Sequence, residues 1–215
     1  METSAKRAGL TRTKVLRAAL DLVDRDGVEK LSMRRLGTGL GVEAMTLYHY
    51  VPNKAALLDG LVELVVSAVR ADTTAPAERW PEHLRRFAVA FRAELLRHPG
   101  VIPLVATRPV RSADALRAAE DTAAALTLAG LTPLQALRAI NSVATFTVGH
   151  CLAEAATTPG HPEQPADDLD LAHFPTLAAA VAAGLGTAAD HQARFDLALD
   201  ALLTGLHQRL TRPEA

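Results

Sequence analysis

The stretch Ser32–Lys54, Ser-Met-Arg-Arg-Leu-Gly-Thr-Gly-Leu-Gly-Val-Glu-Ala-Met-Thr-Leu-Tyr-His-Tyr-Val-Pro-Asn-Lys, constrains this chain more than any other. Ser32 offers a hydroxyl to the free N–H groups of a short helix ending near Leu40. Gly41 supplies a tight turn, Glu43–Tyr50 forms a second short helix, and Pro52 stops it. Two short helices joined by a glycine turn make a helix-turn-helix, whose second member can lie in a DNA major groove. A core helix of that length would carry Leu, Ile and Ala. This one carries Met45, Thr46, Tyr48, His49 and Tyr50, with Lys54 just beyond, so these side chains read as contact groups.

Apolar residues recur at helical spacing throughout, and Ala and Leu outnumber β-branched and aromatic residues, which predicts an all-α fold. Thr11 should cap a first helix running to Asp26 and stopped by Gly27 in a left-handed conformation. Val15, Leu16, Ala19, Leu20, Leu22 and Val23 form its apolar stripe. Asn53 should cap a linking helix of about 54–70. Further helices are predicted over 80–97, 101–107, 112–129, 133–156, 174–184 and 189–210. The expected division is a helix-turn-helix domain over 1–56 and a helical effector-binding and dimerisation domain over 57–215, with a polar break at 72–78. Residues 157–173, rich in proline and acid, read as a long loop, and whether it gates a pocket is open at this point.

Charge is uneven along the chain. Ten basic and seven acidic side chains in residues 1–60 leave that segment at about +3, against −1 for the whole. A basic head on an acidic body suits phosphate binding at one end. Arg34 lies near the positive end of its helix, a good position for a phosphate or guanine contact. Lys6, Arg7 and Arg12 could touch phosphates or the minor groove as a basic arm. Cys151 is the only cysteine, so no intrachain disulfide can form, and no apolar run reaches about 18 residues. The expected location is therefore cytoplasmic. No Ser-His-Asp or paired-carboxylate arrangement stands out, and no metal set or cofactor is expected. His150 and Glu154 stand at i, i+4, as do Glu94 and His98, but two ligands alone make no zinc site.

The order Leu31-Ser-Met-Arg-Arg-Leu, then Gly41-Val-Glu-Ala-Met-Thr-Leu-Tyr-His-Tyr-Val-Pro-Asn-Lys-Ala-Ala-Leu-Leu-Asp, resembles the DNA-binding domain of TetR-family transcriptional repressors. Gly37 and Gly39 depart from it, standing where the family usually has alanine or other helix formers. The resemblance implies that Ala44, Met45 and Thr46 sit nearest base edges, that Tyr48 and His49 line the groove, and that Tyr50 and Lys54 bind phosphates. With Ser32 and Arg34 these complete the expected DNA-binding set. Leu47 and Val51 would point inward.

The remainder is similar to the C-terminal domain of the tetracycline-repressor branch, on Trp80…Leu84-Arg…Phe91-Arg…Leu95-Leu-Arg-His98, Thr107-Arg-Pro109, Val143…Phe146-Thr-Val-Gly149 and Phe195…Leu202-Leu-Thr-Gly-Leu206. That likeness implies a homodimer joined through helices 133–156 and 189–210, with Leu137, Phe195, Leu199, Leu202 and Leu206 at the interface. It also implies a small-molecule effector in each body. The residues that serve a drug-bound magnesium in that branch fall at Leu104 and about Ala153, which cannot hold a hard cation. A mainly apolar effector lined by Phe87, Phe91, Leu104, Val105, Phe146, His150 and Cys151 is expected instead. The resulting expectation is a ligand-responsive repressor of a palindromic operator in duplex DNA, with no membrane partner. An activator, a partner-responsive or architectural DNA-binding regulator without a small-molecule effector, or an enzyme with a regulatory head remain the alternatives.

Overall fold

The computed structural model describes residues 9–69, 79–155 and 170–210, all helix, turn or connecting segment, with no strand among them. The arm residues Lys6 and Arg7, the break at 72–78 and most of the 157–173 loop lie outside that range. The helices are α1 (Arg12–Asp26), α2 (Met33–Leu40), α3 (Ala44–Leu47), α4 (Lys54–Ala68), α5 (Trp80–Arg97), α6 (Ile102–Thr107), α7 (Ala113–Leu128), α8 (Pro133–Glu154), α9 (Pro175–Ala182) and α10 (Ala188–Leu210).

Helix starts follow the caps. The side chains of Thr11, Ser32, Asn53, Ser112 and Thr132 each accept a hydrogen bond from the backbone N–H three residues on, and Thr132 with Gln135 completes a reciprocal capping box. One stop differs from expectation. Gly27 has φ 82° and ψ 157°, so it leaves α1 with a positive φ but an extended ψ, not in the left-handed helical well. α4 ends at Ala68, slightly short of the expected Arg70.

The head is α1 to α3 with the start of α4. Val15, Leu16, Ala19, Leu20, Leu31, Leu36, Leu47, Val51, Leu57 and Leu61 form its core. That core does not close on itself. Phe91, Leu95, Val101, Ile102 and Cys151 of the body belong to the same apolar cluster. The chain crosses Val23 at Gly100, where an added Cβ would lie 2.8 Å from Val23 Cγ1 and 2.9 Å from its carbonyl oxygen. Beside this seam His98 Nδ1 lies 2.7 Å from Asp24 Oδ2. A partly exposed pair of this kind contributes about 0–1 kcal/mol, whereas burying one Val, Leu or Phe side chain contributes about 1.5–3 kcal/mol. Apolar packing, not the ion pair, therefore fixes the head against the body.

A second cluster fills the body, where α5, α7, α8 and α10 bury Trp80, Leu84, Leu126, Ile140, Val143, Phe195, Leu199 and Leu203. This corrects the expected dimer interface. Phe195 and Leu199 are both 0% exposed within a single chain, because that edge of the α10 stripe faces α5 and α8. Leu202 and Leu206 are half-buried against the same cluster. The large apolar side chains that α8 and α10 leave open are Leu134, Leu137, Leu152 and Leu197.

Candidate nucleic-acid interface and effector region

α2 hands the chain to α3 through one close turn. Gly41 has φ 66° and ψ 34°, and its N–H and that of Val42 return to Thr38 and Gly37 carbonyls at 3.1 and 2.9 Å. Gly37 is buried under this turn, and a Cβ there would meet Val42 O at 2.8 Å and Ala44 N at 3.2 Å. Gly39 meets nothing within 4 Å. The two glycines that depart from the family pattern thus differ physically. Gly37 lets the second short helix pack closely on the first.

α3 is a single turn, and the chain continues through Tyr48–Tyr50 as a turn in which Tyr50 N–H bonds Leu47 O at 2.9 Å and Val51 N–H bonds the same oxygen at 3.0 Å. The expected regular helix over 43–50 is therefore shorter. Met45 (70% exposed), Tyr48 (41%) and His49 stand on its outer side at i, i+3 and i+4. Thr46 does not. It is 7% exposed and turned inward beside the fully buried Leu47, which corrects its assignment as a base or phosphate contact. Ala44 and Tyr50 are half-buried against the head core, so Tyr50 presents only part of its ring.

Basic groups flank this segment in the chain. Arg34 and Lys54 are exposed, and no ion pair engages either among the described residues. Arg35 is committed, reaching Asp26 Oδ2 at 2.9 Å and the Lys30 carbonyl at 3.2 Å. Ser32 spends its hydroxyl on the Arg35 N–H at 3.2 Å, so its first role is to cap α2. Arg12, expected in the arm, lies 3.5 Å from Glu63 of α4. The chemistry on offer is an exposed apolar and aromatic ridge, with exposed, unpaired Arg34 before it and Lys54 after it in the chain, suited to base edges and phosphates.

Residues 15–61 match the family "Bacterial regulatory proteins, tetR family", and residues 73–210 match "Tetracyclin repressor-like, C-terminal domain". The chain belongs to the TetR family. A relative from Saccharopolyspora erythraea, named an HTH-type transcriptional regulator, is 33% identical over 208 residues, 92% of this chain and 84% of that protein. The tetracycline repressor protein class D of Escherichia coli is 36% identical over 74% of this chain and 73% of its own. Among solved structures, ActR of Streptomyces coelicolor in complex with actinorhodin superposes with a TM-score of 0.78 at 25% identity, covering 95% of this chain and 99% of that one. This TetR-family protein is a DNA-binding transcriptional regulator and not an enzyme. Among the described residues no helix is long and apolar enough to cross a membrane.

In the body, the residues expected to line an effector site fall into two groups. Phe91 and Cys151 are buried in the cluster shared with the head, with Leu104 and Val105 packed against it. Phe146 and His150 belong to an aromatic group with Phe195. Phe146 stacks on Phe195 at 5.5 Å, and His150 meets that ring edge-on at 5.1 Å. Phe87 touches both clusters and stacks on Phe91 at 5.4 Å. Burial pushes the Cys151 thiol up to about 12, with the Glu154 carboxylate adding to the shift, so it is a protonated packing group. Burial lowers the pKa of His150, though Glu154 pulls the other way.

Sequence reasoning missed two features here. Arg92 forks onto Glu154 at 2.7 and 3.0 Å and lies 4.9 Å over the Phe195 ring. A cleft of about 500 Å³ opens between head and body, lined by Arg12, Leu16, Gly60, Glu63, Glu94 and His98. The bidentate pair joins residues 62 apart and the cleft joins α1 to α5, so neither leaves a local sequence signal.

Proposed function

We propose that the protein is a ligand-responsive repressor that binds a near-palindromic operator as a homodimer and is released by a small, mainly apolar effector. The observation that carries the DNA side is the exposure of Met45, Tyr48 and His49 in a segment whose flanking Arg34 and Lys54 are also exposed. A two-fold protein reads two-fold DNA. The dimer reading is supported by a stripe of Leu134, Leu137, Asn141, Thr145, Val148 and Leu152 along α8, whose leucines are 43–58% exposed. Ala193, Leu197, Ala201 and Thr204 run in the same way along the exposed side of α10, small enough for helices to approach closely.

Release follows from linkage. Arg108, just after α6, ion-pairs with Asp59 and donates to the Ala55 carbonyl at 3.4 Å, so α6 is tied to the first turns of α4. An effector that opens the seam among Phe91, Leu104, Val105 and Cys151 would displace α6. The displacement reaches the start of α4, which follows the recognition segment directly. DNA and effector then weaken each other reciprocally. A 100-fold loss of operator affinity requires the effector to prefer the released geometry by about 2.7 kcal/mol. The similar TetR-family structure in complex with actinorhodin makes actinorhodin and compounds resembling it the first class to test.

The test is fluorescence anisotropy on a duplex carrying the inverted repeat beside the protein's own coding region, titrated with a panel of such compounds. Two chains per duplex, and release of DNA by at least one compound that also raises the melting temperature of the free protein, are expected. One chain per duplex, or release by no compound, would overturn the proposal.

A further inference from the structure

α8 and α10 meet at a cluster of donors that the DNA-binding reading does not use. His150 and Glu154 stand one turn apart near the end of α8, and His191 lies in the first turn of α10. One ligand atom from each can be chosen so that all three lie within 4.8 Å of one another. His150 Nε2 is 3.6 Å from Glu154 Oε2 and 3.1 Å from the His191 carbonyl oxygen.

We propose that His150, Glu154 and His191 form a transition-metal site, of the Zn²⁺, Co²⁺ or Ni²⁺ class, that clamps the start of α10 to the end of α8. Around a metal bonded at about 2.1 Å, neighbouring ligand atoms stand about 3.0–3.4 Å apart. The His150–Glu154 distance is already close to that, and rotamer adjustment of His191 closes the rest. Two imidazoles and one carboxylate favour borderline metals over Mg²⁺ or Ca²⁺, which demand mostly oxygen donors. The His191 carbonyl, or water, can complete the coordination.

The neighbouring cations fit this arrangement. Arg92 uses one lone pair on each Glu154 oxygen, at 2.7 and 3.0 Å, and a carboxylate retains about two further acceptor sites. Its fork therefore orients the carboxylate as an outer-shell partner does in metal proteins. Arg194 Nη2 holds His191 Nδ1 at 2.8 Å. Arg194 is exposed and also pairs with Asp190 at 3.4 Å, so it can yield that nitrogen to a metal.

His150 is also among the expected effector-lining residues, so the inference is tested by metal binding alone, with no effector present, on tag-free, full-length protein. Co²⁺ titration should show one saturable site per chain, with visible d–d bands that Zn²⁺ abolishes, and Zn²⁺ should raise the melting temperature. His191→Ala should weaken Co²⁺ binding more than about 100-fold, because losing even an outer-shell partner costs 10–100-fold. Its helical circular dichroism should be unchanged. His150→Gln provides a second variant that preserves much of the ring's volume, and His173→Ala, on an exposed residue elsewhere, should bind like wild type. Absence of saturable Co²⁺ binding in the wild type, its persistence in both site variants, or its loss in His173→Ala would overturn the proposal.

Discussion

Substituting Gly37 and Gly39 separately by alanine isolates the close approach that seats the recognition segment. Both residues lie in α2, so both gain helix propensity of up to about 1 kcal/mol when a methyl is added. They differ in what the methyl meets. At Gly39 it meets nothing within 4 Å; at Gly37 it meets Val42 O at 2.8 Å and Ala44 N at 3.2 Å. Both atoms are backbone and cannot rotate away, so the turn must retreat by about 0.5 Å to restore ordinary contact. Overpacking of this kind costs about 1–3 kcal/mol. The propensity gain cancels between the variants, leaving that cost as their difference. At about 2–4 °C per kcal/mol for a chain of this length, Gly39→Ala should melt about 2–4 °C above wild type and Gly37→Ala at or below it. Operator binding sharpens the contrast, because contacts of this kind tolerate displacements of only about 0.5 Å. Anisotropy with the operator duplex should show Gly39→Ala unchanged and Gly37→Ala weakened about tenfold or more. If both variants gain stability and bind alike, the packing argument for Gly37 is refuted.

Other perturbations test other parts of the account. Lys54→Ala should reduce the slope of log affinity against log salt by about 0.9, the value for one phosphate contact; an unchanged slope would remove Lys54 from the interface. Leu197→Glu, placed on the exposed side of α10, should give monomers in analytical ultracentrifugation with helicity intact, and a surviving dimer would exclude that face. Cys151, fully buried and with its thiol pushed up to about 12, should resist a thiol-specific aromatic disulfide at pH 8 and react promptly in denaturant. Fast native labelling would contradict the packed seam between α8 and the head.

The fold was legible in the sequence because helix ends leave local chemical marks. Thr11, Ser32 and Asn53 cap the helices that their positions announce, and Gly41 makes the turn expected of it. What was not legible depends on which neighbour a stripe meets. Leu199 and Leu197 sit on one helix with the same chemistry, yet one is 0% and the other 73% exposed, since α5 and α8 cover only one side of α10. Thr46 looked like a contact group by type, but a one-turn helix is held by tertiary packing of one face, and Thr46 lies on that face with Leu47. The Arg92–Glu154 fork and the approach of His191 to His150 arise from packing between distant helices, which residue spacing within one helix does not encode.

The most direct test of the central claim is selection from a pool of random duplexes with the purified protein at physiological salt. The account predicts enrichment of one sequence with two-fold symmetry, its half-sites about one helical turn or a whole multiple apart, each protected beneath the face bearing Met45, Tyr48 and His49. Enrichment of no sequence, with binding that simply fades as salt rises, would contradict it.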